Sequence, residues 1–411
     1  MNKRVSLVEK ITMLVLLLAP ILWIYGKPGG WSYEVICTLP LSIVYFLVTF
    51  FNSNNGGLVD PLPKGLTVYF IYWAVLYTLF AMQLPISMIQ TYLTFFLFFS
   101  TFKLEYFLKI YKLFALICIV FFFAQEITYQ VSGVRISGIL QFLPLHIDMG
   151  MSDFLGRLAD SDRSSSFFSE PAHLAQFLLP LLAIELFYDK GKYHSYFAII
   201  IGALLLLLRS GNGLLGMMAI LLFLLPYYFT KRGAGKWLSF SAILLLIGIV
   251  GYYYINSDMG GMLLERQSEL GSTYEGGNRS GFLRVWRGLY VYGDYSVLEK
   301  LLGCPNEATQ LSHVYASGMQ MADSAELYFN AFQKILLNTG IIGLGIFVFI
   351  IVRLWRGNSV CGKALLGSLV AISFISAIYM SHTMILFLVL AQSLKSVKNL
   401  SNYSPLITKP M

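Results

Sequence analysis

Charge is scarce in this sequence. Only 12% of its 411 residues are Asp, Glu, Lys or Arg, and 57% are hydrophobic; a soluble domain carries about 25% charged residues. That scarcity excludes a soluble domain large enough to build a core outside a membrane. Cysteine is sparse too. Cys37, Cys118, Cys304 and Cys361 are scattered, with no CxxC pair and no Cys/His cluster, so neither a zinc site nor a disulfide framework is implied. No GxxxxGK[ST] loop is present, which excludes direct use of ATP through that motif. There is no Ser-His-Asp arrangement and no nucleophile elbow. Short alternating strands are missing, which argues against a barrel. No internal repeat is visible either, and that counts mildly against a transporter.

What fills the chain instead is long apolar runs. Each is close to the roughly 20 residues that cross a bilayer, and backbone polar groups in lipid must pair within a helix. The sequence predicts an all-α polytopic integral membrane protein, 1–411 forming one membrane domain. About twelve spans are expected: 8–25, 33–51, 66–83, 85–102, 109–127, 172–188, 194–208, 213–229, 236–255, 328–352, 363–380 and 382–396. The first run resembles a signal peptide, but GKPGG follows where a small-residue cleavage site belongs, so it is read as a retained span. Lysines concentrate in the short loops on the side of the N-terminus. By the positive-inside bias both termini are cytoplasmic. Two long loops, 127–171 and 256–327, then face outward, and the second carries helix-period patches expected to lie on the membrane surface. The net charge of +8 reflects this topology, and no nucleic-acid partner is read from it.

The stretch RSSSFFSEPAHLAQFLLPLL, Arg163 to Leu182, organises the rest. A polar front half meets an apolar helix at Pro171, a residue suited to the first turn of a helix. An arginine and a glutamate, Arg163 and Glu170, therefore sit at the mouth of a span. Eight arginines fall on the outward side: Arg135, Arg157, Arg163, Arg209, Arg266, Arg279, Arg284 and Arg287. Positive-inside topology does not require them there. Guanidinium binds phosphate oxygens in pairs and keeps its charge, so an outward arginine cluster suits a lipid-linked phosphate; the plainer alternative is pairing with local carboxylates. Arg209 ends an aliphatic run at the membrane boundary, where it is either functional or snorkelling to the headgroups. Glu170 is either a helix N-terminal carboxylate or a partner orienting Arg163 or a sugar hydroxyl. Asp160-Ser161-Asp162 has the form of a DxD metal motif, but hard cations want several oxygens on a rigid frame, and no metal is expected. His313 lies near Asp323 and Glu326 and is weighed as a base against an ordinary loop histidine.

Three segments resemble the O-antigen polymerase and ligase superfamily, the Wzy-type polymerases in particular. RSSSFFSEPAHLAQFL is similar to that family's arginine, small linker, phenylalanine and Glu/Asn-Pro opening a span. NRSGFLRVWRGL followed by LEKLLGCP resembles its arginine–tryptophan stretch with a glycine turn, placing Arg279, Arg284, Trp286 and Gly303. ELYFNAFQKILLNTGIIGL resembles the segment closing the large outer loop, with Asn330, Gly340 and Gly343 in register. Ligases of the superfamily typically have a histidine just before that asparagine; here the position is Phe329, which favours polymerase over ligase and leaves the general base unassigned.

The resemblance implies a GT-C-like membrane glycosyltransferase that needs neither metal nor other cofactor. Its substrates would be oligosaccharide repeat units on undecaprenyl pyrophosphate, in a bacterial inner membrane with the active site toward the periplasm. A chain-length regulator is an expected partner. Arg163, Arg279, Arg284 and Glu170 are the expected catalytic residues. Arg135, Arg209, Arg287, His313, Glu326 and Asn330 are expected to bind substrate. A ligase transferring glycan to lipid A core, and a flippase or transporter, are the alternatives.

Overall fold

The computed structural model describes residues 5–27, 30–51, 61–81, 85–146, 163–188, 194–224, 280–317 and 328–403. Among the described residues the fold is all-helical, with two isolated bridges, Tyr25 with Leu145 and Gly26 with Ser32. In chain order the helices are α1 (Leu7–Leu22), α2 (Tyr33–Phe51), α3 (Leu66–Ala81), α4 (Ile86–Thr101), α5 (Leu104–Ser132), α6 (Pro171–Phe187), α7 (His194–Leu207), α8 (Gly211–Leu221), α9 (Ser280–Asp294), α10 (Val297–Leu302), α11 (Glu307–Ala316), α12 (Ala331–Trp355), α13 (Val360–Ser373) and α14 (His382–Tyr403).

Eleven of the expected spans fall on helices, and the one at 236–255 lies outside the described residues. By length and composition α2, α5 and α12 are long and apolar enough to cross a membrane; the apolar parts of α3, α4, α6, α7, α8, α13 and α14 are shorter. A 16-residue helix such as α3 is about 24 Å long, a little under the roughly 30 Å hydrocarbon core. The apolar helices mark a membrane-embedded protein. Several boundaries differ from expectation: α13 ends at Ser373, short of the predicted 380, and α5 starts at Leu104, before the predicted 109, and runs on to Ser132, past the predicted end at 127. EITYQVS continues the helix until Gly133, which caps it at φ 71°, a left-handed position that suits glycine.

Burial separates an inner from an outer ring. In α14, Met384 through Ala391 are all at most 3% exposed, as a helix apolar all round must be when it sits inside a bundle. It packs against α1, α4, α5, α6, α12 and α13. α6 is enclosed in the same way, buried from Leu174 to Glu185. The outer helices leave apolar side chains bare: Val44 and Val48 of α2, Ile71 and Leu79 of α3, Val120 and Ile127 of α5, Ile199 of α7. Patches of that extent are rare on soluble monomers and suit contact with acyl chains.

The two ends of the bundle differ in chemistry. One end holds lysine contacts: Lys103 to Glu9 at 3.1 Å, Lys112 to Glu185 at 2.6 Å, and Lys395 Nζ donating to the Arg353 carbonyl at 2.6 Å. The other end gathers the start of α2, α6, α8, α12 and α14 with the ends of α1, α5, α7 and α13.

Helix α12 is broken. Gly340 has φ 62° and ψ −168°, values open essentially only to glycine. The break frees carbonyls that an unbroken helix would pair, and neighbours take them over. Cys304 N–H donates to the Leu337 carbonyl at 2.7 Å, and the Tyr72 hydroxyl to that of Thr339 at 3.3 Å. Inside a membrane protein a helix break persists only with such replacements. The turn after α10 fits into the gap. A Cβ on Gly303 would lie 2.4 Å from Thr339 N, and one on Gly340 2.3 Å from the Leu301 carbonyl. Gly303 and Gly340 thus form one backbone-on-backbone contact, which holds α10 and α11 on α12.

Candidate functional site

The segment leading into α6 is built before it is decorated. Ser164, Ser165, Ser166 and Ser169 are all buried, and all four hydroxyls are hydrogen-bonded. Gln125 of α5 reaches across: its Oε1 accepts from Ser166 N–H at 2.8 Å, and its Nε2 donates to the carbonyls of Ile136, 2.8 Å, and Ser166, 3.3 Å. Ser166 Oγ donates to the Cys118 carbonyl at 2.8 Å, and Ser165 Oγ to that of Phe168 at 2.7 Å. Phe167 stacks on Phe121, centroids 4.4 Å apart. Ser166 adopts a left-handed φ of 56°. Gly138 is forced to be glycine, because a Cβ there would sit 1.9 Å from the Ser166 carbonyl. The serine run is therefore a rigid frame, not a tether. Glu170 caps the backbone of α6 in an extended conformation without a side-chain capping bond, leaves its carboxylate exposed, and hands over to Pro171 at the first helical position.

Three of the predicted arginine positions adjoin this frame, Arg163 and Arg135 through their side chains and Arg209 through its backbone carbonyl. Arg163 Nη1 donates to the Arg209 carbonyl at 3.2 Å. Arg209 occupies the tight α7–α8 turn with φ 47°, a conformation that points the carbonyl back toward Arg163. Arg135 Nε donates to Ser164 Oγ at 3.1 Å, lies 3.8 Å from Glu126, and places its guanidinium 3.8 Å above the Tyr129 ring. Glu126 offsets part of Arg135's charge, as the plainer sequence reading allowed. The first turns of α6 and α8 add backbone N–H groups at the same end, a setting that favours anions.

Beneath the arginines lies a layer of buried amides and hydroxyls. Ser376 Oγ accepts from Gln176 Nε2 at 2.7 Å and from Asn212 Nδ2 at 3.3 Å. Thr383 Oγ1 donates to Gln176 Oε1 at 3.2 Å. Asn212 Oδ1 is buried with no partner among the described residues. Asn330, expected to touch substrate, is spent on structure: it caps α12 through Gln333 N–H at 2.9 Å and donates to the Phe374 carbonyl at 2.8 Å. Sequence reading missed this layer and the Glu34–His382 pair beside it, 2.6 Å apart. The available signal was a glutamine and an asparagine within otherwise apolar runs, since polar groups at such positions are functional candidates.

The second predicted group is placed differently. Arg287 is fully buried, donates to the Tyr328 carbonyl and lies 5.0 Å over the Phe329 ring. Its guanidinium thereby ties α9 to the start of α12. His313 rests against Tyr295, centroids 5.1 Å apart, and burial raises the Tyr295 hydroxyl's pKa. Burial also pushes the Cys304 thiol up, against a thiolate nucleophile there. Arg279, Glu326 and the Asp160-Ser161-Asp162 triplet lie outside the described residues, as does the side chain of Arg284.

Neither protein-family models nor curated proteins yield a match to this chain. The site is therefore judged on its chemistry. Cationic side chains on a rigid frame, at the same end of the bundle as two helix N-termini and a hydrogen-bonding layer, can hold a phosphorylated, hydroxyl-rich ligand.

Proposed function

We propose that the protein polymerises lipid-linked oligosaccharide repeat units. It transfers the growing glycan from undecaprenyl pyrophosphate to a hydroxyl of the next undecaprenyl-pyrophosphate-linked repeat. In this reading the chain crosses a bacterial inner membrane about twelve times with the arginine-bearing end toward the periplasm. The acceptor hydroxyl attacks the donor's anomeric carbon, the new glycosidic bond forms, and the bond to the pyrophosphate oxygen breaks with its electron pair. Charge grows on the leaving pyrophosphate, and preorganised cations around it are the largest source of rate. The broken bond carries the driving energy, so no nucleotide is required.

One observation carries the reading: the side chains of Arg163 and Arg135 are held on a single buttressed segment at the mouth of α6, Arg163 by the backbone carbonyl of Arg209. A polymerase must hold two anionic headgroups, which calls for more cationic side chains than one phosphate needs. Phe329, at the position where superfamily ligases typically have histidine, is 2% exposed and packed in an apolar cluster, which favours polymerase over ligase.

Deleting the gene is expected to leave single-repeat glycolipid in the membrane and remove the ladder of longer chains on a gel. In membranes carrying the protein, EDTA is expected to leave the ladder unchanged. A ladder that vanishes with EDTA and returns with manganese would instead direct attention to Asp160 and Asp162.

A further inference from the structure

The proposed transfer releases a proton from the acceptor hydroxyl, and none of the arginines can take it. Among histidines with described side chains, His382 alone has a carboxylate within hydrogen-bond reach. Its Nε2 lies 2.6 Å from Glu34 Oε1, and Glu34 Oε2 accepts from Ser32 Oγ at 3.4 Å. The glutamate opens α2, the histidine opens α14, and the pair sits at the arginine-bearing end. The two side chains are 12% and 16% exposed, shielded yet still reachable. An imidazole that donates Nε2–H to a carboxylate keeps its lone pair on Nδ1, and Nδ1 has no partner among the described residues. The other histidines are less suited. His173 Nδ1 is bonded to Ser169 Oγ at 2.8 Å, and its ring meets the edge of Trp23; His313 lies against Tyr295.

The pair is also tied to the arginines. Thr383, next in sequence, bonds Gln176; Gln176 and Asn212 share Ser376; Asn212 lies three residues beyond Arg209, whose carbonyl holds Arg163. This polar chain runs along one end of the bundle through α14, α6 and α8.

We propose that His382, held in orientation by Glu34, is the general base of the transfer, an inference that rests on the polymerase reading. As the acceptor oxygen bonds to the anomeric carbon, its proton passes to His382 Nδ1 and the pyrophosphate departs with the bonding pair. The Glu34 carboxylate stabilises the imidazolium until water outside the membrane removes the proton.

The test uses purified full-length protein and, as probe, the lipid-linked glycan extracted from a deletion strain. His382→Gln is expected to lower kcat for elongation about a hundredfold or more, with KM for the glycolipid and thermal stability in detergent little changed. Glu34→Gln should give a smaller loss of kcat, and imidazole in the buffer should restore part of the activity of His382→Ala. Elongation at the native rate by His382→Gln would overturn the proposal. So would a loss in all three variants matched by lowered stability and unrelieved by imidazole, the behaviour of a clamp between α2 and α14. Arg163→Ala separates the two levels: an active Arg163→Ala defeats the polymerase reading itself, whereas an inactive one beside an active His382→Gln defeats only the general-base assignment.

Discussion

Arg163→Ala is expected to leave the protein inserted in the membrane and to abolish long glycan chains. Removing one preorganised donor to developing negative charge costs about 100- to 1,000-fold in rate, or about 2.7–4 kcal/mol of barrier. Arg163 stands closest to that role because the frame beneath it is independently fixed. Gln125 holds Ser166, and Ser166 holds the Cys118 carbonyl, without any help from the guanidinium. Truncating Arg163 therefore removes charge and the bond to the Arg209 carbonyl while the backbone stays in place. Arg163→Lys keeps the charge but loses the planar fork and should recover only part of the activity. Arg135→Ala should cost less, because Glu126 already offsets part of that charge. Gel ladders from cells expressing each variant, with immunoblots of the membrane fraction, measure both halves of the expectation. A normal ladder from Arg163→Ala would contradict the arginine account.

Gly340→Ala is expected to be strongly destabilising, because strain and overlap combine at one methyl. The alanine would have to adopt φ 62° with ψ −168°, where strain alone is of order 1–3 kcal/mol. Its Cβ would also meet the Leu301 carbonyl at 2.3 Å and Gly303 N at 2.5 Å. Both are backbone atoms, so no side-chain rotation relieves the overlap. α10 must then separate from α12, which strips the Leu337 carbonyl of Cys304 N–H and the Leu302 carbonyl of the Tyr72 hydroxyl. A loss of roughly 3 kcal/mol or more follows from strain and unpaired buried carbonyls together. Fluorescence-detected gel filtration and thermal unfolding in detergent check it. Gly345→Ala is the control: the same helix, ordinary backbone and nothing within 4 Å of the new methyl. It should be neutral or stabilising by up to about 1 kcal/mol.

The helices were legible in the sequence because lipid demands apolar runs, and eleven predicted spans overlap helices. The Arg163 segment was legible as well, since polar residues abruptly meeting a proline-started apolar run mark a boundary by local chemistry alone. What remained hidden depends on distant pairing. Glu34 and His382 are 348 residues apart, and nothing near either one signals the other. The break at Gly340 was hidden because NTGIIGLG reads as an ordinary apolar helix; only the approach of Gly303 reveals why its glycine is needed. Arg287 reads in the sequence as one of a set of similar arginines, though its register holds a sign of its burial. It stands four residues before Val291, so both share one face of amphipathic α9, and both are fully buried. Reading the helix period through the arginines would have separated this structural guanidinium from those at the mouth of α6.

The most direct test of the central claim is elongation by the purified protein supplied with lipid-linked repeat units as the only glycan, without nucleotide or divalent metal. Chain length and free undecaprenyl pyrophosphate are followed together. The account predicts a ladder of products with one undecaprenyl pyrophosphate released for each linkage formed, and neither product from Arg163→Ala. Repeat units that stay single while the protein is folded and binds them, or a ladder of equal yield from Arg163→Ala, would contradict it.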